Sequence, residues 1–417
     1  MIKRVLTLFF AFCLIYPVIF RFLPGVAFRT VFGVIGAFVL IIFQRQQFVI
    51  NNNILKILYT PLPVLVLAIV TNIVNGTAEM QFINLLYSFV LVVLAAYVVT
   101  SMIKSVHKRV DFDLISSYII AAATLQCLLA AAMIIIPSLG TFMFEKLTIT
   151  EYGNRILSVK DTRLMGVGGQ SVSLGIINCF ALLMIVDKLK DRHNIKTSFL
   201  LYLLFIFITV VGSMMARTTI IGTLIGLLLL LYFNRFQLQK YFRQIVSVLL
   251  FVALLYFVII PSSTKKQFNG YFEYGFEMLY TLDREGELST ASTDELQGML
   301  LIQPDNLKTW LIGDGHFENP LDKYRYYMET DVGYFRLIFY FGIFGCIAYF
   351  YYQYQILWQA NLRTKRKHQI FFIFSIVLLF ILSIKVLIEI ISIFMMFLFS
   401  EDKTEDKKAL EALDEKI

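Results

Sequence analysis

Apolar runs of close to twenty residues follow one another along most of this chain. Each is long enough to cross a hydrocarbon layer of about 30 Å as a helix. They fall at roughly 5–23, 26–43, 57–75, 82–103, 114–137, 166–186, 198–214, 218–233, 244–261 and 333–355, with a last long run over 370–400. In lipid every backbone N–H and C=O must be satisfied within the protein, so runs of this length mean helices. A β-barrel would show alternating segments of about ten residues instead. Only 16% of the 417 residues are charged and 58% are hydrophobic. The expected fold class is therefore an all-α polytopic membrane protein, with about 12 transmembrane helices and one large outer-face loop that is partly helical. Met1-Ile-Lys-Arg4 followed by an apolar stretch looks like a signal peptide, but no small-residue cleavage site follows it, so it reads as a retained first helix.

Basic residues set the expected orientation. Alternate loops hold Lys3/Arg4, Arg45/Lys56, Lys104/Lys108/Arg109, Lys188/Lys190/Arg192/Lys196, Arg235/Lys240/Arg243 and Arg363/Lys365/Arg366/Lys367, whereas the loop 75–81 has none. Positive loops stay in the cytoplasm. The N-terminus is therefore expected inside, and the long polar stretch 262–332 outside, as a periplasmic cap. The formal charge of +8 is spread over these short loops, so it marks topology rather than a nucleic-acid surface. The expected organisation is a bundle of about nine helices over 1–261, the cap over 262–332, further transmembrane helices over 333–400 and a cytoplasmic tail over 401–417. A single helix over 370–400 would be about 46 Å long. It would also carry Lys385 and Glu389 into lipid, so two short spans meeting at an outer-face break near those residues are favoured.

The cap reads as folded. Residues 268–282 form an expected amphipathic helix lying on the membrane. Ser292-Thr-Asp-Glu295 has capping-box spacing. Residues 304–313 read as a short helix with Pro304 in its first turn and Gly313 at its stop. Gly313-Asp-Gly-His-Phe-Glu-Asn-Pro320 is a turn cluster.

Four sets of charged residues converge on the outer side. They are Asp161-Thr-Arg163-Leu-Met-Gly166-Val-Gly-Gly169, the break Ser213-Met-Met-Ala-Arg217-Thr-Thr, Asp331-Val-Gly-Tyr-Phe-Arg336, and Lys385 with Glu389. Arginine suits phosphate, because its planar fork binds oxygens in pairs and keeps its charge when partly desolvated. Several arginines at one membrane face point to an anionic, lipid-proximal substrate such as a lipid pyrophosphate. Plainer readings stand beside each. An arginine at a helix end snorkels, the glycines at 166, 168 and 169 permit close helix packing, Asp331 with Arg336 and Lys385 with Glu389 make internal ion pairs, and His316 is polar surface. Arg217 fits the plain reading least, because it interrupts a nearly continuous apolar run where basic residues are scarce. The four cysteines lie inside apolar runs and the four histidines never pair at i, i+4, so neither a disulfide framework nor a metal site is readable.

In the order of its motifs the chain resembles the O-antigen and capsule repeat-unit polymerases, relatives of the O-antigen ligases. The resemblance lies in Arg163-Leu-Met-Gly166 opening a span, Ser213-x-x-Ala-Arg217-Thr, and Gly313-Asp-Gly315. It continues in Asp331 to Arg336 leading into Tyr340-Phe-Gly342-Ile-Phe-Gly345, and in one large outer loop ahead of the last helices. It implies a metal-independent glycosyltransferase without cofactor, at the outer face of the bacterial inner membrane. Such an enzyme joins oligosaccharide repeat units carried on undecaprenyl pyrophosphate, beside a flippase and a chain-length regulator. Carried over by position, Arg217 is the pyrophosphate ligand, supported by Arg163 and Arg336. Asp331 or His316 activates the acceptor, and Lys385 and Glu389 complete the substrate-binding set. A ligase, or a transporter or flippase of lipid-linked sugars, are the competing expectations.

Overall fold

The computed structural model describes residues 1–43, 56–147, 163–168, 171–190, 195–234, 262–286 and 289–401. Among them the chain is mostly helical. Six helices are long and apolar enough to cross a membrane, and three further apolar helices are shorter. The bundle comprises α1 (Ile2–Ile15), α2 (Phe28–Phe43), α3 (Leu62–Asn75), α4 (Ile83–His107), α5 (Phe112–Ile135), α6 (Pro137–Lys146), α7 (Ser171–Lys190), α8 (Ile195–Met215) and α9 (Thr218–Asn234). The expected span over 244–261, the tail beyond Glu401, and Asp161 and Gly169 lie outside the described residues. An expected count of about 12 spans is thus met only in part, by the six long and three shorter apolar helices among the described residues, which include Gly333–Arg363 and Gln369–Ser383.

Where the boundaries moved, local chemistry moved them. The run 5–23 ends early, at Ile15, because Tyr16 precedes Pro17 and is driven into the extended region. Residues 17–27 then turn, with Ile19 bridging Ala27 and Phe20 bridging Leu147. The α6 helix, with Pro137 in its first turn, had no periodic signal strong enough to set it apart from the span before it.

One end of the bundle gathers the basic loops. Lys188 Nζ lies 3.2 Å from Asp113, and Lys190 Nζ lies 2.8 Å from Asp187, which is 1% exposed. His368 Nδ1 lies 2.5 Å from the other oxygen of Asp187, and its ring stacks on Phe112. Lys104 pairs with Glu401 at the same end.

The opposite end carries the cap: α10 (Ser262–Gly275), α11 (Glu277–Glu285), α12 (Ala291–Leu300), α13 (Leu307–Leu311), the two-stranded antiparallel pair β1 (Glu318–Asn319) and β2 (Asp322–Tyr326), and then α14 (Gly333–Arg363). The single helix expected over 268–282 is broken at Phe276. At Gly275 the end of α10 docks on the end of α8, where a Cβ would meet the backbone of Ser213 and Met214 at 3.0 Å. The capping box sits two residues earlier than the spacing suggested. Thr290 accepts from Thr293 N, and the Thr293 hydroxyl accepts from Thr290 N. The short helix opens on Asn306, whose side chain accepts from Thr309 N, so Pro304 precedes the helix instead of starting it.

The cap and α14 interlock through backbone. At Phe341 and Gly342 (φ 70°, ψ −174°) the α14 helix kinks, which frees carbonyls from their i→i+4 partners. Asp314 N donates to Phe339 O at 2.7 Å and Gly315 N to Tyr340 O at 2.9 Å. A Cβ at Gly313 would strike the Tyr340 carbonyl, and one at Gly342 the Leu311 carbonyl, so each glycine makes room for the other segment.

The last run is interrupted, as the shorter-span reading requires. α15 (Gln369–Ser383) ends in a turn at 384–386, residues 387–390 form no regular element, and α16 (Ile391–Phe394) continues as a 3₁₀ helix over Met395–Phe399. Lys385 and Glu389 therefore do not share a helix face. This irregular stretch is tied to α14 by Tyr349 Oη and Gln353 Nε2, both donating to Ile388 O, and by Ile390 N donating to Gln353 Oε1. Those bonds satisfy backbone that no helix satisfies there.

Candidate active site between cap and bundle

Arg217 sits with Ala216 in the two-residue gap between α8 and α9, where helix geometry lapses and the side chain swings toward the cap. It pairs with Glu277 at the start of α11, donates from Nε to the Tyr274 carbonyl at 3.0 Å, and lies over the Tyr274 ring at 4.3 Å. The guanidinium is thus held from three sides while remaining 19% exposed. Lys385, in the turn after α15, donates to Ser292 Oγ on α12 at 2.7 Å. It lies within electrostatic reach of Arg217, Asp331, Glu295 and Glu277. Asp331 in turn feels Arg336, Glu295 and Lys385. Three cations and three carboxylates, drawn from α8/α9, the cap, α14 and the turn after α15, therefore form one charged seam.

The electrostatics of the seam are uneven. Burial pushes the Asp331 carboxyl above the ordinary carboxylate range. Glu295 pushes the same way, while Arg336 and Lys385 pull it back. The residue stays accessible, and its own N–H points to Met299 Sδ at 3.3 Å. Lys385 is lowered, first by burial and then by the positive charge of Arg217, against three acids that favour its charged form. Arg336, 6% exposed, is clamped between aromatic faces, with Phe317 at 4.1 Å and Tyr326 at 3.4 Å from its guanidinium carbon. Desolvated cation–π contacts of this kind are worth about 2 kcal/mol.

Of the expected site residues, Arg217, Asp331, Arg336 and Lys385 come together in this seam. Arg163 lies beside it by backbone: Leu164 N donates to Met214 O at 3.0 Å, three residues before Arg217, and Gln126 Nε2 holds Val167 O at 2.8 Å. Its Nε is enclosed without a partner among the described residues. The glycines beside it serve close packing, since a Cβ at Gly166 would strike Gln126 and one at Gly168 would press on Val18. The helix they were expected to open starts later, at Ser171.

His316 is half-buried against the Tyr327 ring, 5.4 Å between centroids, and makes no contact with Asp331. It adjoins Phe317, on which Arg336 stacks. Glu389 does not join the seam either. Its electrostatic neighbours are Arg29, Tyr349 and Tyr352. The expected Lys385–Glu389 pair is therefore absent, because the helix that would align the two is interrupted.

Sequence reasoning missed Glu277, Glu295, Ser292, Tyr274, Phe317 and Tyr326. The acids were hidden in a cap rich in acids, and nothing local to them signals basic partners sixty or more residues away. The aromatic pair around Arg336 had a faint signal, an aromatic immediately after the Gly313 turn and another closing the β-pair. Compared with protein-family models, with curated proteins and with solved structures, the chain matches none.

Proposed function

We propose that the chain is a membrane glycosyltransferase that polymerises oligosaccharide repeat units carried on undecaprenyl pyrophosphate, at the outer face of the bacterial inner membrane. The observation that carries this reading is the convergence of Arg217, Lys385 and Arg336 beside Asp331 at the seam of cap and bundle. The family resemblance in the motif order supports it. In the reaction the growing glycan is the donor, and its anomeric carbon is bonded to the lipid pyrophosphate. The acceptor hydroxyl forms the new C–O bond while the C–O bond to phosphate breaks. The lipid pyrophosphate leaves with the electron pair, and Asp331 takes the hydroxyl proton. Charge grows on the leaving phosphate, so cations that grip it more tightly as the bond breaks lower the barrier. Arg217, with Arg163 beside it, is the main grip; Arg336 and Lys385 assist. A flippase and a chain-length regulator are the expected partners.

Deletion of the gene tests the reading: loss of polymer, with single repeat units left on the lipid carrier, is the expected result. Unchanged chain length overturns it, and accumulation of long lipid-linked polymer with loss of ligation identifies a ligase instead. A second reading, a transporter of lipid-linked sugars, is favoured by the interrupted last traverse, since discontinuous helices build transporter binding sites. Reconstituted transport without any elongation would establish it.

A further inference from the structure

At the basic-loop end, opposite the charged seam, four helix ends close around a cavity. Phe112 opens α5, Arg363 closes α14, His368 precedes α15 and Ser400 follows the 3₁₀ helix, and all four line a space of about 170 Å³. One ordered water needs only about 10–15 Å³, so the cavity has room for a larger group. Both α5 and α14 are long and apolar enough to cross a membrane. A cavity bounded by their ends therefore stands where lipid headgroups meet water.

Its walls are held in place. The His368 ring stacks on Phe112 at 3.7 Å and 14°, and its Nδ1 lies 2.5 Å from Asp187 Oδ2. Lys190 Nζ reaches the other oxygen of Asp187 at 2.8 Å and donates to the Lys367 carbonyl at 3.4 Å, which ties the turn after α14 to α7. Glu401 N donates to Val110 O at 2.6 Å, which fastens the chain after Ser400 beside the start of α5.

The charges around this cavity do not balance. Three carboxylates line it, and each is already met by a cation from outside the lining. Asp111 lies 3.6 Å from Arg109 Nε, Asp113 lies 3.2 Å from Lys188 Nζ, and Glu401 lies 2.5 Å from Lys104 Nζ. Arg363 and Lys367 line the same space. Arg363 is half-buried, and its side chain makes no hydrogen bond or ion pair among the described residues. A cation partly withdrawn from water without a counter-charge is costly, and the planar fork of arginine matches phosphate oxygens. The surplus at this headgroup-level cavity is positive.

We infer that the cavity binds the headgroup of an anionic phospholipid, a phosphodiester of the phosphatidylglycerol type, with Arg363 and Lys367 on the phosphate and the stack of His368 on Phe112 as its wall. Basic pockets between membrane helices suit such headgroups. A zwitterionic headgroup fits less well, because its ammonium meets no carboxylate without a cation of its own. Bound there, the lipid braces the turn between α14 and α15 against the start of α5. The site is independent of the reaction proposed above and stands or falls without it.

The full chain in detergent is titrated with phosphatidylglycerol or phosphatidylcholine of identical acyl chains, and bound lipid is counted by native mass spectrometry. One phosphatidylglycerol is expected to bind about tenfold more tightly than phosphatidylcholine, and Arg363→Gln should lose that preference. Arg366→Gln is the control. It removes the same charge from an exposed arginine that lies over Trp358 and does not line the cavity, and it should keep the preference. Lys367→Gln, at an exposed position, supplies a second loss of preference should Arg363→Gln fail to fold. Equal binding of the two lipids overturns the inference, as does a preference that survives both cavity variants. A preference lost equally in Arg366→Gln reports the overall charge of the loop and overturns it too. Displacement of the lipid by inorganic phosphate at equal concentration assigns the cavity to a free anion and overturns the lipid.

Discussion

Replacing Arg217 with alanine separates two jobs that the residue holds at once. In the resting protein it fastens α11 to the break between α8 and α9 through Glu277, the Tyr274 carbonyl and the Tyr274 ring. The partly exposed ion pair contributes no more than about 1 kcal/mol, the hydrogen bond about 1, and the cation–π contact about 0.5–1. Arg217→Ala should therefore loosen the cap by about 2–3 kcal/mol and leave the bundle intact. In the reaction the same guanidinium grips the leaving pyrophosphate, and losing one such preorganised donor costs about 2.7–4 kcal/mol, a rate loss of about 10²–10³. The assay is elongation of lipid-linked repeat units by the purified protein in nanodiscs, with initial rates taken from a gel ladder and cap docking followed by limited proteolysis. Glu277→Gln sets the two effects apart, because it loosens the same cap contact while freeing Arg217 from its resting partner. Donor affinity in that variant should rise, by up to about fivefold for the 1 kcal/mol released. An Arg217→Ala protein that elongates within about threefold of wild type refutes the reasoning, whatever its cap does.

Asp331 should give elongation an acidic limb. Its folded pKa is raised, so protonation favours the fold and the base is lost as pH falls through a value above the ordinary carboxylate range. A rate–pH profile of wild type should show that limb and Asp331→Asn should abolish it together with most of the rate; an unshifted limb in the variant excludes Asp331 as base. Tyr326→Ala removes one face of the clamp on Arg336 and should cost about 1–2 kcal/mol, or about 5–30-fold in elongation, while thermal unfolding in detergent stays near wild type. A variant of unchanged rate would show that Arg336 needs no clamp. Gly342→Ala should lower stability by about 2–4 kcal/mol, read as an earlier midpoint by circular dichroism, because φ is positive and its Cβ would strike the Leu311 carbonyl. An unchanged midpoint would mean that the kink relaxes without its glycine.

The spans were legible because lipid removes the choices that soluble folds leave open. Over 82–103, 114–137, 198–214 and 218–233 the apolar runs lie within a few residues of α4, α5, α8 and α9, since burial and backbone satisfaction demand one answer. The break near Lys385 was legible for the same reason, as a charge too costly for a continuous helix. The cap was harder. Its helix ends depend on which hydroxyl reaches which amide, as at Thr290, and on docking against α8, as at Gly275. Arg217 stood out because it broke a pattern, but the acid that holds it, Glu277, broke none. Glu389 was grouped with Lys385 by helical spacing, and the interruption that separates them depends on hydrogen bonds from Tyr349 and Gln353 that no local pattern announces.

The joint at Gly313 and Gly342 is made of main-chain bonds and absent side chains. Its integrity does not depend on what the neighbouring side chains are, only on two positions staying empty. Side chains on the outer surface of β1 and β2 can then be exchanged for others without unfastening the cap from α14. If the cap supplies the wall that a sugar meets, this is an architecture in which the preferred glycan can be rewritten residue by residue while the position of Arg336 is kept. Grafting the 318–325 stretch, which leaves Phe317 and Tyr326 on Arg336, between chains that retain both glycines is the direct route to altered sugar preference.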